Sequence, residues 1–127
     1  MVNEPIVRTQ DLNYSYAAGI PTLQQVNLVV PKGSIYGFLG PNGAGKTTTL
    51  RLLLGLLKNQ QGSLEIFGQK FPAQRLNILH RIGSLIEQPS LYGHLTATEN
   101  LEIYRRIYQV DKSRITTVLQ LVGLQDT

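Results

Sequence analysis

The spacing of apolar positions changes along the chain, and each change marks an element. Ile6 to Tyr16 reads as a strand, and Ala17-Ala18-Gly19-Ile20-Pro21 as the turn of a hairpin, because Gly and Pro punctuate extended runs. Val26 to Val30 is a second apolar stretch, stopped by Pro31-Lys32-Gly33. Ser34 to Leu39 is a nearly continuous apolar run closed by Gly40, the pattern of a strand buried on both faces. From Lys46 the period becomes helical: Leu50, Leu53, Leu54 and Leu57 fall on one face of a helix that ends near Lys58-Asn59. After a turn at Gln60-Gln61-Gly62, Leu64 to Phe67 is a short strand closed by Gly68. Pro72 to Arg81 can hold a helix, and Ile82 to Ile86 returns to strand-like residues.

Beyond Pro89 the character shifts, and from about Thr96 the pattern is helical. Thr96-Ala97-Thr98-Glu99 is a capping box, in which Thr96 accepts from the Glu99 amide while Glu99 reaches back. The helix it opens carries Leu101, Tyr104 and Tyr108 on one face, and a second helix shows Ile115, Val118, Leu119 and Val122 before Gly123. The chain thus reads as an α/β piece, residues 1–87, and a loop with the beginning of a helical piece, residues 88–127, joined through Gln88-Pro89-Ser90.

Composition narrows the class. With 127 residues, 42% hydrophobic and 16% charged, the chain can bury one modest core and is too apolar for a disordered segment. Lys+Arg 12 against Asp+Glu 8 gives a net charge of +4. That excess suits an anionic ligand and falls short of the dense basic patches of a nucleic-acid binder. Arg105-Arg106 reads as part of a solvated helix face, and no nucleic-acid partner is expected. Zero cysteines exclude a disulfide framework and thiolate metal sites and favour a reducing compartment. His80 and His94 show no metal-ligand spacing. No apolar run reaches signal-peptide or membrane-spanning length.

The chemistry sits between the apolar run and the first helix. Gly40-Pro41-Asn42-Gly43-Ala44-Gly45-Lys46-Thr47 fits G-x-x-x-x-G-K-[ST], the phosphate-binding loop. Gly40, Gly43 and Gly45 permit backbone angles closed to other residues, so successive N–H groups can turn inward and cup phosphate oxygens. Lys46 would place an ammonium near the β- and γ-phosphates, and the helix starting there aims its N-terminal amides at the same anion. Thr47 supplies a hydroxyl for Mg²⁺ and Thr48 a further donor to phosphate. A strand before the loop and a helix after it are the context this motif requires.

On these residues the chain resembles the N-terminal part of an ABC-transporter nucleotide-binding domain. The resemblance is carried by VPKGSIYGFLG, by the Walker A text GPNGAGKTTTLRLLLGLL and by IGSLIEQPSLYGHLTATENL, and it runs from about Leu12 to Leu124. It implies an α/β P-loop NTPase: a RecA-like core with N-terminal antiparallel strands, plus the start of an α-helical subdomain. It also implies an ATPase subunit that binds ATP and Mg²⁺, sandwiches ATP with a second ATPase subunit and drives a transmembrane permease. Such a subunit lies peripherally on the cytoplasmic face of the membrane, held by the permease.

The same resemblance assigns further residues. Tyr16, with Tyr14 as second choice, takes the place of the aromatic residue that stacks on adenine. Most family members have glutamine at the end of the strand that opens the helical subdomain, where it touches Mg²⁺ and the attacking water. Here Glu87 takes that place, with Gln88 beside it. Lys46 and Glu87 are therefore the expected catalytic residues, Thr47 and Glu87 the expected Mg²⁺ ligands, and a one-residue shift would make Gln88 the functional residue. Substitution by glutamate resembles the ATPases of bacitracin-resistance and lantibiotic-immunity exporters, and Leu91 and Tyr92 fall in the loop that docks the permease.

An alternative reading makes Ile82 to Glu87 the Walker B strand of a smaller P-loop protein without a transport role, such as a phosphotransferase; Gly83 and Ser84 interrupt its apolar run. The family's signature sequence, Walker B Asp-Glu, D-loop and switch histidine are not among the 127 residues. The length therefore suits about the first half of a larger ATPase domain. Taken alone it should bind nucleotide weakly and not turn it over.

Overall fold

The computed structural model describes residues 4–59 and 61–126; the outer limits 1 and 127 of the expected pieces, and Gln60 of the expected turn, lie outside them. The chain divides into two compact units, one running to Ile86 and one starting at Glu87. Glu87 thus opens the second unit, whereas the sequence reading ended the first unit on it.

The first unit is built on a four-stranded antiparallel sheet of order β2-β1-β3-β4. The strands are β1 (Pro5–Tyr14), β2 (Leu23–Pro31), β3 (Gln61–Ile66) and β4 (Gln69–Lys70), with helix α1 (Lys46–Leu53) between β2 and β3 and helix α2 (Arg75–Leu79) after β4. The β1–β2 hairpin is longer than its apolar core: β2 starts at Leu23 rather than Val26, and the connection holds a bridge between Ala17 and Ile20. Register slips where Asp11 and Gln25 adopt positive φ, and Thr9 fills the irregularity. Its buried hydroxyl donates to the Val26 carbonyl (2.8 Å) and accepts from the Leu28 amide (2.9 Å), so a polar side chain is tolerated in the core. β4 escaped the sequence reading. Phe67 and Gly68 both take positive φ, the conformation of the tight two-residue hairpin turn, and fold Gln69–Lys70 back on β3.

Two apolar clusters hold this unit. Leu12, Leu23 and Leu52 join the hairpin to α1, with Tyr14, Val26 and Leu57 against them. Leu64, Ile66 and Ile78 join β3 to α2. Helix α1 stops at Leu53, short of the expected Lys58, because Gly55 takes a left-handed φ of 66°. The Leu56 amide then closes on the Arg51 carbonyl at 2.9 Å, a glycine-terminated helix end.

Two expected strands do not form. Ser34 to Leu39 is neither paired nor buried on both faces: Ile35 and Leu39 are almost fully exposed. Ile82 to Ile86 is likewise outside any ladder. A strand needs a neighbour to satisfy its backbone groups, and among the described residues no strand lies beside either segment.

The second unit contains α3 (Ala97–Tyr108) and α4 (Ser113–Leu121). The capping box forms as expected: the Thr96 hydroxyl accepts from the Glu99 amide at 3.2 Å, and the Glu99 carboxylate accepts from the Thr96 amide at 2.7 Å. Arg105 and Arg106 both pair with Glu102, at 2.7 and 2.9 Å. Helix α4 ends before Gly123, whose φ of 71° lets the Leu124 amide reach the Leu119 carbonyl at 2.8 Å.

Candidate functional site

The glycine loop turns sharply into α1. The Ala44 amide closes a turn on the Pro41 carbonyl at 3.2 Å, leaving Gly40, Pro41, Asn42, Gly43 and Ala44 exposed at the surface. Gly43 and Gly45 take φ of 83° and 89°, backbone angles closed to most other residues. Gly40 does not have positive φ; a side chain there would sit 3.3 Å from the Ala44 Cβ, so its role is close approach. Gly45 caps α1 without a side chain, and the first turn of the helix carries no acid. The amides at that end keep their outward direction and their partial positive charge.

Lys46 folds back over the loop, its Nζ donating to the carbonyls of Gly40 and, at 2.8 Å, of Pro41. Its partners there are neutral oxygens. An ammonium has three protons to give, and an oxyanion accepts them more strongly than a neutral carbonyl does. Thr47 is half-buried and Thr48 is buried. Thr49 turns its hydroxyl back to the Gly45 carbonyl at 2.9 Å, which fixes the helix start. The loop therefore offers backbone amides, a lysine and hydroxyls with no carboxylate from Gly40 to Thr49. That donor set fits a polyphosphate anion. Among the described residues no cluster of three or more His, Asp or Glu stands ready as a metal site of its own.

Tyr16 comes to the same helix end. Its hydroxyl lies 3.3 Å from Thr48 Oγ1, while half the residue stays exposed. Tyr14 meets its ring edge-on, with centroids 5.0 Å apart. The Thr48 hydroxyl, and with it the Arg51 guanidinium, holds the phenol pKa below the usual tyrosine value. Arg51 was not anticipated. Its signal was its position three residues after Thr48, on the same face of α1.

Glu87 and Gln88 are both exposed, and Glu87 adopts a φ of 63°, a left-handed conformation that costs a non-glycine residue about 1 kcal/mol. The loop that follows them is pinned within the second unit by another residue that escaped the sequence reading, Asn100. It is 6% exposed. Its Oδ1 accepts from the Tyr92 amide at 2.9 Å, and its Nδ2 faces the carbonyls of Tyr92, Leu95 and Thr96 at 3.0–3.2 Å. Tyr104, one turn on, donates to the Ser90 carbonyl at 3.3 Å. Leu91 and Tyr92 are left exposed, with His94 edge-on to the Tyr92 ring. A polar residue in line with Tyr104 and Tyr108 was the available sign.

A hairpin-edged antiparallel sheet, a glycine loop opening a helix and a separate helical unit define the fold of an ABC ATPase nucleotide-binding domain. A solved structure described as the ATP-binding subunit of an ABC transporter matches with a TM-score of 0.83 and 27% identity, covering 94% of this chain and 51% of that one. Residues 23–127 match the ABC transporter family model, and the chain belongs to that family. It is 49% identical over 121 residues to the bacitracin transport ATP-binding protein BcrA of Bacillus licheniformis, covering 94% of this chain and 39% of the relative. It is 37% identical over 119 residues to the lantibiotic transport ATP-binding protein SrtF of Streptococcus pyogenes, covering 94% and 50%. The chain thus spans two fifths to one half of the length of these relatives, and they are the kind that its sequence resembles.

Proposed function

We propose that the chain is the nucleotide-binding part of an ABC exporter's ATPase subunit, which couples ATP binding and hydrolysis to the movement of a peptide antibiotic. The observation that carries the nucleotide reading is the state of Lys46: a cation at the start of α1 whose partners in the loop are two neutral carbonyls. The names of the relatives support the cargo class.

In this reading the amides of Gly43 to Thr48 and the Lys46 ammonium hold the β- and γ-phosphates of ATP. Thr47 is a ligand of Mg²⁺, which neutralises phosphate charge. Tyr16 presents a half-exposed ring to adenine, a contact worth about 0.5–1.5 kcal/mol. Glu87, at a left-handed position that opens the helical unit, would offer a carboxylate to Mg²⁺ or a water where most of the family has an amide. Leu91 and Tyr92 form the apolar surface that receives the permease. The apolar segment Ser34 to Leu39, which lies outside any ladder among the described residues, supports a larger core sheet, because extended apolar backbone is satisfied by neighbouring strands. Partners are a permease and a second ATPase subunit in the ATP-bound state. No helix among the described residues is long and apolar enough to cross a membrane, which suits peripheral attachment at the cytoplasmic face through the permease.

The test is titration of the intact protein with a fluorescent ATP analogue, with and without Mg²⁺. Saturable, Mg²⁺-assisted binding that Lys46→Ala abolishes supports the reading; binding indifferent to Lys46 overturns it.

A further inference from the structure

We infer that Asn42 is a site of spontaneous deamidation, which installs a carboxylate in the glycine loop and disables it for anions, and that a bound anion protects against the change. The Gly43 backbone nitrogen attacks the Asn42 side-chain carbonyl, forming a bond from nitrogen to Cγ. The side-chain amide leaves as ammonia, taking up the Gly43 proton, and a succinimide remains. Water then opens either of its two carbonyl–nitrogen bonds, giving aspartate or isoaspartate; one water is consumed, one ammonia is released and nothing is oxidised. The loss of binding and the protection rest on the reading of the glycine loop as a phosphate cradle; the deamidation itself does not.

Sequence and fold single out the same position. Asn42 is the one asparagine of the chain that precedes a glycine, and a glycine nitrogen is the least hindered backbone nucleophile because no Cβ stands beside it. Asn42 and Gly43 are exposed, at the centre of the turn that the Ala44 amide closes on the Pro41 carbonyl. Among the described residues, neither the Asn42 side chain nor the Gly43 amide has a hydrogen-bond partner, so neither reacting group has to be released first. A methyl group on Gly43 would meet nothing within 4 Å, which leaves room around the turn. Asn13, Asn27, Asn59 and Asn100 differ, since the side-chain amide of each donates to a backbone carbonyl. Ring closure also requires the Gly43 nitrogen to lose its proton, and nearby positive charge stabilises the anion left behind. The loop supplies that charge through the Lys46 ammonium on the Gly40 and Pro41 carbonyls and the N-terminal end of α1, with no acid from Gly40 to Thr49. The features that suit the loop to an anion thus speed its own modification. A phosphate accepting from the Gly43 amide has the opposite effect, because it holds the proton in place and adds negative charge beside it. Once formed, a carboxylate at this position repels phosphate, and the isoaspartate product also routes the backbone through Cβ and displaces the amides.

The intact protein would be incubated for days in mildly alkaline buffer, with and without inorganic tripolyphosphate. Peptide mass spectrometry and isoaspartyl methyltransferase labelling locate the products, calorimetry gives the tripolyphosphate affinity of fresh and aged protein after dialysis, and thermal melts are the folding control. Asn42 should convert at least about tenfold faster than any other asparagine of the chain. Tripolyphosphate at about ten times its Kd should slow that conversion about tenfold, in proportion to the unbound fraction. The converted protein, and freshly made Asn42→Asp, should bind tripolyphosphate about tenfold more weakly than fresh wild type. Asn42→Ser should keep its own starting affinity throughout the incubation. Tripolyphosphate binding by a wild type whose Asn42 converts no faster than the other asparagines would overturn the deamidation site and leave the phosphate cradle standing. Conversion at Asn42 that tripolyphosphate does not slow, or that leaves its affinity unchanged, would overturn the link between the two. Failure of fresh wild type to bind tripolyphosphate at all would overturn the cradle reading, and with it the loss of binding and the protection, whatever the mass spectra show at Asn42.

Discussion

Replacing Gly45 by alanine tests how tightly the glycine loop is locked to the core. Gly45 has a φ of 89°, and a methyl group on it would fall closer than 3.0 Å to Leu23 Cδ2 and 3.2 Å from the Thr22 carbonyl. Leu23 cannot swing aside cheaply, because it is 3% exposed and packed with Leu12 and Leu52. The left-handed backbone costs alanine about 1–2 kcal/mol, and forcing an extra methyl into a packed core costs about 1–3 kcal/mol. The sum is about 2–5 kcal/mol. Gly43→Ala is the internal control: Gly43 has a φ of 83° but nothing within 4 Å of the added methyl, so it should lose only the backbone part. Urea unfolding of both variants in the intact protein gives the two losses, and ATP-analogue titration gives their effect on the loop. The reasoning fails if Gly45→Ala costs no more than Gly43→Ala, since the Leu23 contact would then contribute nothing.

Asn100→Ala removes an acceptor for the Tyr92 amide and donors to three carbonyls, and should destabilise the helical unit by about 2–3 kcal/mol with faster hydrogen exchange at Tyr92 and Leu95; a loss below about 0.5 kcal/mol would remove it as the clamp of that loop. The Arg105 and Arg106 guanidiniums hold the Glu102 carboxyl at about 2, below the ordinary value of 4.5. Because the folded pKa is depressed, its contribution is complete above the unfolded value and is lost as pH falls from 4.5 towards about 2. Thermal melts followed by circular dichroism should show an acid loss in that window that Glu102→Gln lacks. In the assembled transporter, Leu91→Ala with Tyr92→Ala should lower transport while ATP binding stays intact, measured as cargo moved per ATP hydrolysed; an unchanged ratio would count against docking at this loop.

The elements that local chemistry determines were readable in the sequence. The Thr96 and Glu99 capping box and the glycine that ends α4 depend on contacts within a few residues and have the expected geometry, while in the loop feeding α1 Gly43 and Gly45 take left-handed φ and Gly40 does not. Ser34 to Leu39 and Ile82 to Ile86 looked equally clear as apolar runs, but a strand also depends on a partner, and apolar pattern does not supply one. The β4 turn was hidden because Phe67 is an unusual residue for a left-handed position. At the site, the loop residues were legible as a motif. The meeting of Tyr16 with Thr48 was not, because the two lie 32 residues apart and only the hairpin brings them together. Asn100 was hidden for the opposite reason: a polar residue on a helix reads as solvated until its partners are seen.

The central claim is that Lys46 and the amides around it receive the phosphates of a nucleotide. The most direct measurement is the affinity of the intact protein for Mg²⁺ and a fluorescent ATP analogue, compared between wild type and Lys46→Ala, both shown to be folded by thermal melting. Saturable binding that Lys46→Ala weakens at least tenfold, the scale of one charge-assisted hydrogen bond, is the predicted result. Equal affinity in the two folded proteins would contradict the account.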